Sequence, residues 1–414
     1  MFEKKVRLSS DILFYAALFL YYLRSAISMT TLKEIGGISL LQRGMFYLAF
    51  ALLIAKMFMQ KYTASSLYKL GVVGSVVVLS YLLSGFQEIV WGFLFVLTAK
   101  DIDMDKVAKM IMVTTLMILA GTILLSEAGI IRSITSSSTS RQYLWFGGST
   151  RIKLWGFYHH NYMGEFILIF YICYVFLRYS YFKLWDVIVG LLAFYFCFVT
   201  IKSRTSALLI VATVALVLVI KFLKYFGEKK SKPLAELGIY AMMIFSPIFS
   251  VYVSLTYDAS ESIYVFLNSL LTNRFSYPHS IYNQYGFSFF GQEVELISTL
   301  DAAELGVSAI VLDNAYMHML IRFGVCFTII FLAGWFYIAR KSLQNKNYRV
   351  AIIIAIYFVC GIAEGWLFRI TGNPFLILLS GCFYEKNETV FLPTDVLNRK
   401  NGRKRRNIRI KLIR

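Results

Sequence analysis

The stretch Ala207 to Ile220, ALLIVATVALVLVI, carries no charge and a single hydroxyl. A soluble helix of that length would show a polar side to water, and this one has none. A helix that crosses a bilayer needs roughly 20 mostly apolar residues at about 1.5 Å rise each. Ile352 to Cys360 is likewise uncharged. Working outward, 58% of the 414 residues are hydrophobic and only 16% charged. The apolar residues gather in long runs separated by short polar clusters. The expected class is therefore an all-α integral membrane protein. The first run, Ile12 to Leu23, is followed by no small-residue cleavage site and reads as a retained helix.

Counting such runs gives about 12 transmembrane helices. Their centres fall near Ala17, Leu52, Val77, Leu94, Met117, Phe170, Leu192, Ala215, Phe245, Ile329, Ala355 and Leu378. With the N-terminus in the cytoplasm, seven basic clusters fall inside: Lys4 to Arg7, Lys56 to Lys69, Lys100 to Lys109, Arg178 to Lys183, Lys221 to Lys232, Arg340 to Arg349 and Lys386 to Arg414. They hold 30 of the 42 Lys and Arg residues, the bias that orients membrane proteins. The net charge of +19 then sits on the face that meets anionic lipid headgroups, which makes membrane lipids the partner and excludes nucleic acid. The tail, with Arg403, Lys404, Arg405 and Arg406 in a row, reads the same way.

The organisation that follows is helices 1–9 over 1–256, a large extracytoplasmic loop over 257–312, helices 10–12 over 313–385 and a basic cytoplasmic tail over 386–414. The large loop sets Asp258, Glu261, Glu293, Glu295, Asp301 and Glu304 against one basic side chain, Arg274. Loops of such length are usually functional or disordered. Within it, Ile263 to Leu271 predicts a short helix lying on the membrane surface. A second polar segment, Glu127 to Trp155, is rich in Ser and Thr. No internal repeat is visible, which argues against a transporter built from duplicated halves. The five cysteines, Cys173, Cys197, Cys326, Cys360 and Cys382, sit inside apolar runs without paired spacing, so neither disulfides nor a zinc site is signalled.

Ionisable residues in or beside a membrane helix are costly, so each is a candidate. Arg151, Lys153, His159, His160, Asn161 and Glu165 lead into the sixth span, and Asn161 and Glu165 share a helix face. Arg151 and Lys153 read either as anion ligands or as side chains reaching headgroups. Lys202-Ser203-Arg204-Thr205-Ser206 makes a short turn whose cations and hydroxyls suit a phosphate or pyrophosphate, or is an ordinary polar turn. In the tenth span Asn314, His318 and Arg322 recur every fourth residue as one polar stripe, with Asp313 at the mouth as N-cap or general base. Glu364 and Arg369 flank Trp366 and either pair with each other or line the same cavity. Asp101-Ile102-Asp103-Met104-Asp105 looks like an acidic metal motif, but acidic residues at a helix start favour capping and the helix dipole.

Several of these segments together resemble a known family. They are Arg151 to Asn161 with Gly156-Phe157 and His160-Asn161, the turn Ser203-Arg204, the large loop, Asp313-Asn314-Ala315-Tyr316 running on to Gly324, and Glu364 followed by Asn373. The family is the polysaccharide polymerases of bacterial O-antigen, capsule and exopolysaccharide pathways (Wzy-type), relatives of the O-antigen ligases. The resemblance implies a GT-C-like architecture in the bacterial cytoplasmic membrane, with both termini cytoplasmic. The substrate it implies is a polyprenyl-pyrophosphate-linked oligosaccharide, joined to a new repeat unit at the outer face without metal or cofactor. A flippase and a chain-length regulator are implied as partners.

On this reading Arg151, Arg204 and Arg274 stabilise the leaving pyrophosphate, where single donors are worth roughly 3 to 4 kcal/mol. Lys153, Asn161, Asn314, Arg322 and Glu364 complete the binding set. Ligase relatives place a histidine where this chain has Asp313, so Asp313 is the first choice of base, with His160 and His318 as alternates. The family's arginine, ten-residue gap, glycine pattern is not met, because eleven residues separate Arg274 from Gly286. The rival expectations are a ligase moving finished glycan to another acceptor, a flippase of the same lipid-linked sugar, and a structural scaffold of the assembly machinery.

Overall fold

The structure, a computed structural model, describes residues 2–140, 148–223, 228–271, 273–297, 302, 305–307, 309–384 and 390–391. The basic tail expected over 386–414 lies outside the described residues apart from Val390 and Phe391, as do Asp301 and Glu304.

The chain is overwhelmingly helical. In order it forms α1 (Phe2–Ser28), α2 (Ile38–Met59), α3 (Ala64–Ser84), α4 (Glu88–Thr98), α5 (Met104–Glu127), α6 (His160–Arg178), α7 (Leu184–Tyr195), α8 (Arg204–Leu223) and α9 (Glu228–Leu255). After these come α10 (Ser262–Leu270), α11 (Ser276–Tyr285), α12 (Ala315–His318), α13 (Val325–Gln344) and α14 (Tyr348–Cys360). Two 3-10 segments follow, Gly365–Phe368 and Pro374–Cys382. The Ser/Thr-rich segment pairs Thr135–Ser140 with Gly148–Lys153 as an antiparallel hairpin.

Eight helices among the described residues are long and apolar enough to cross a membrane: Ser10–Ser28, Ile38–Met59, Ala64–Ser84, Met104–Glu127, His160–Tyr181, Arg204–Leu223, Lys232–Leu255 and Val325–Gln344. This is an architecture compatible with an integral membrane protein. Every expected centre falls on an apolar helical element, but those near Leu94, Leu192, Ala355 and Leu378 fall on shorter ones. α14 shows why an uncharged run need not face lipid. Ala351 to Phe358 are all buried, so its apolarity serves a site enclosed by α8, α9 and α13.

Local chemistry sets the helix boundaries. Thr63 caps α3 by accepting from the Ser66 N–H at 3.0 Å, and Gly85, at φ +67°, closes it by donating to the Tyr81 carbonyl at 2.8 Å. Asp103 accepts from the Asp105 N–H at 2.9 Å, so the acidic run does cap α5. The tenth span departs from expectation. Helix α12 loosens into a π-turn over Met319–Phe323 and stops at Gly324, φ +94°, before α13 starts afresh. A Cβ on Gly324 would lie 2.6 Å from the backbone of Phe289, Phe290 and Gly291, so only glycine lets the large loop press on this break. The short helix expected over Ile263 to Leu271 forms as α10.

Candidate functional site

Arg274 stands at the centre of one group of polar side chains, and a neighbouring asparagine puts it there. Asn268, buried at the end of α10, accepts the N–H groups of Phe275 at 3.2 Å and Ser276 at 3.0 Å. Its amide donates to Asn273 Oδ1 and Ser276 Oγ, holding Asn273 at φ +64°. The chain doubles back and the Arg274 side chain turns inward, 11% exposed. Its Nη1 lies 2.6 Å from Asp313 Oδ2 and its Nη2 3.3 Å from Glu364 Oε1. Its Nε donates to the Ala363 carbonyl at 2.7 Å. One guanidinium thus ties the large loop to the start of α12 and to the segment after α14. Burial pushes the Glu364 carboxyl up, opposed by Arg274 and the Thr205 hydroxyl and reinforced by Asp313.

Two histidines complete this face. His159 caps α6, its Nδ1 accepting from the Asn161 N–H at 3.1 Å. That bond needs the neutral ring. Burial and the nearby Arg274 both hold its pKa below 6.5, against Asp313. The His159 and His160 rings lie against each other with centroids 4.1 Å apart, tilted by 33°. Ser203 Oγ donates to Asn161 Oδ1 at 3.3 Å, which joins α6 to the start of α8. Gly164 permits that approach, since a Cβ there would overlap Ser203 Oγ and lie 2.7 Å from Ser206 Oγ. Arg204, the first residue of α8, is exposed and within electrostatic reach of His160.

A second group adjoins the first around Phe86, in the turn between α3 and α4. The Arg322 guanidinium lies 4.8 Å from the Phe86 ring centroid and that of Arg369 5.7 Å. Arg322 Nη2 donates to the Ser84 carbonyl at 3.3 Å. Arg369 Nε stands 3.2 Å from Glu88 Oε2, though not in hydrogen-bond alignment. His318 bonds the Leu312 carbonyl through Nδ1 at 2.7 Å, so Nδ1 carries the proton, and its ring packs on Phe323 and Phe368.

The sequence candidates therefore divide. Asp313, Arg274, Glu364, Asn161, His160 and Arg204 come together, and Asn314 supports them. Three expectations are corrected. Asn314, not Asp313, is the N-cap of α12, accepting from the N–H groups of Tyr316 at 3.1 Å and Met317 at 3.2 Å. Glu364 and Arg369 do not pair with each other, because Arg274 and Glu88 are nearer partners. The stripe Asn314, His318, Arg322 does not lie on one regular α-helix: Asn314 caps it, the backbone loosens into a π-turn from Met319, and His318 and Arg322 both lie against Phe86. Lys153 stands apart, pairing with Glu127 at 2.6 Å on the surface. Arg151 pairs with Ser137 in the hairpin backbone, and its side chain lies outside the described residues. Sequence reasoning named His159 without its capping role and missed Asn268, which lies five residues before the positive-φ position Asn273 and carries no local signal of its role.

No family model, no curated protein and no solved structure matches this chain.

Proposed function

We propose that the chain is a metal-independent glycosyltransferase that polymerises polyprenyl-pyrophosphate-linked oligosaccharide repeat units into O-antigen, capsular or exopolysaccharide. In this reading it crosses a bacterial cytoplasmic membrane twelve times in a GT-C-like arrangement, with both termini cytoplasmic and the loop 257–312 outside. The observation that carries it is Arg274 held between Asp313 and Glu364, beside two imidazoles and the exposed Arg204. Glycosyl transfer needs these parts. A carboxylate accepts the proton of the acceptor hydroxyl as its oxygen bonds to the anomeric carbon, and the carbon–oxygen bond to the pyrophosphate breaks with its electron pair leaving on the phosphate.

All three guanidinium nitrogens of Arg274 are engaged within the protein, so its role here is to orient the two carboxylates. Arg204 is exposed and takes the departing diphosphate. Asp313 is the more accessible carboxylate, 36% exposed against 7% for Glu364, and is the base on this reading.

The test deletes the gene and sizes the surface polysaccharide. Single repeat units are expected, whereas unattached long chains point to a ligase and units trapped inside to a flippase. Complementation with Arg204→Ala or Asp313→Ala should slow polymerisation by roughly 100- to 1,000-fold, the usual effect of losing one charge-stabilising group. Full-length chains from both variants reject the mechanism and leave the scaffold reading.

A further inference from the structure

The second polar group sits at the head of a cavity that the proposed reaction does not use. The cavity, about 350 Å³, lies between α3, α4, α13 and the segment Pro374–Cys382. Its volume falls within the roughly 300–1,000 Å³ of small-molecule sites. Along α13 it is lined from Phe327 to Gly334 and along α3 from Tyr68 to Val77, so it runs with the helices for roughly 10 to 14 Å at about 1.5 Å per residue. That approaches the ~15 Å of hydrocarbon in one leaflet. The lining is almost wholly apolar, and two of its glycines let neighbouring leucines pack close. A Cβ on Gly92 would stand 3.0 Å from Leu376, and one on Gly334 3.2 Å from Leu379.

Phe368 lines this channel, and its ring also packs on His318 and Phe86. Immediately beyond it lie two guanidinium groups with spare capacity. Arg322 Nε and Arg369 Nε are buried atoms without a hydrogen-bond partner, and so is His318 Nε2, in a residue only 2% exposed. Buried donors left unbonded are costly, and two guanidinium N–H groups without acceptors beside one ring are the mark of a site that accepts an anion from outside, while His318 Nε2, the unprotonated nitrogen, offers a lone pair. Four acidic groups act on the pair: Glu293 and Glu88 on Arg322, and Glu88, the buried Glu165 and Asp313 on Arg369. The Arg369 pairing with Glu88 is off-line, so a better acceptor displaces it at small loss.

We propose that this site binds one anionic membrane phospholipid, its phosphate on Arg322 and Arg369 and one hydrocarbon chain along the cavity past Phe368. The charge of the head and the apolarity of the channel select for a molecule with both, which a free phosphate lacks. The proposal needs a membrane-embedded chain but not the glycosyltransferase reading.

The test uses the full-length chain purified in detergent, with retained lipid read by native mass spectrometry and thermal shift read on adding phosphatidylglycerol, phosphatidylcholine or inorganic phosphate. Phosphatidylglycerol should be retained and should raise the melting temperature, phosphatidylcholine less, and inorganic phosphate not at all. The double variant R322Q/R369Q should bind phosphatidylglycerol about tenfold more weakly and lose the preference over phosphatidylcholine. Val73→Phe, which fills the channel without touching the arginines, should lower retention of both lipids; Gly334→Leu repeats that test from the opposite wall. Equal shifts with inorganic phosphate, retention indifferent to the arginine and filling variants, or a dimer that the filling variants dissolve would each overturn it. Polysaccharide length is scored separately, so failure of the lipid site and failure of the transferase reading remain distinct.

Discussion

The two arginine groups differ in how completely they are satisfied. Around Arg274 every guanidinium nitrogen has a partner, two carboxylates and a backbone carbonyl, and the whole is mostly buried. Around Phe86 the cations outnumber their well-aligned partners, and nitrogens of Arg322, Arg369 and His318 remain unbonded. A closed ion cluster fixes geometry and costs a great deal when one member is removed. An open one contributes little to the fold and keeps its donors for a ligand. The first group is therefore suited to aligning chemistry and the second to holding a charged head.

Six substitutions test that contrast. Arg274→Ala leaves Glu364 buried beside Asp313 without a counter-ion and should cost about 3 to 5 kcal/mol in detergent unfolding. Adding Glu364→Gln should recover part of that loss, and a single variant as stable as the parent would mean the cluster is not closed. Gly164→Ala drives a methyl group into Ser203 where α6 meets α8, with an expected cost of about 1 to 3 kcal/mol and a matching fall in melting temperature.

The His159 cap gives a pH test. Its folded-state pKa lies below 6.5, so on acidification the unfolded chain takes up a proton that the folded chain refuses. Stability contributed by this ring is thus complete above 6.5 and is lost as pH falls below it. His159→Asn keeps a capping acceptor and should flatten part of that slope, whereas His159→Ala should cost about 1 kcal/mol at neutral pH. An unchanged slope in the Asn variant would assign the acid sensitivity elsewhere. Smallest of all, Arg369→Gln should alter stability by no more than about 1 kcal/mol, because its pair with Glu88 is half-exposed and poorly aligned. A loss as large as that of Arg274→Ala would erase the distinction between the groups.

Hydropathy is a local property, so the runs that became α2, α3, α5, α8 and α13 were legible residue by residue. So was the cap at Asp103, which depends on a neighbour two positions away. The stripe Asn314, His318, Arg322 was legible as periodicity but misleading as geometry. Periodicity assumes a regular α-helix, whereas the backbone loosens into a π-turn over Met319–Phe323 before it stops at Gly324, where Phe289, Phe290 and Gly291 of a distant loop press on it. Arg274 matched no motif cleanly, yet its surroundings make it the centre of the site.

Local composition was enough to show that this chain is built of apolar helices, where most of them lie, and which polar residues are costly to place there. Which of those residues meet depends on the packed fold. Arg274, Asp313 and Glu364 lie far apart along the chain, as do Glu88 and Arg369, and partner choice among charges depends on distances of a few ångströms that no local pattern encodes.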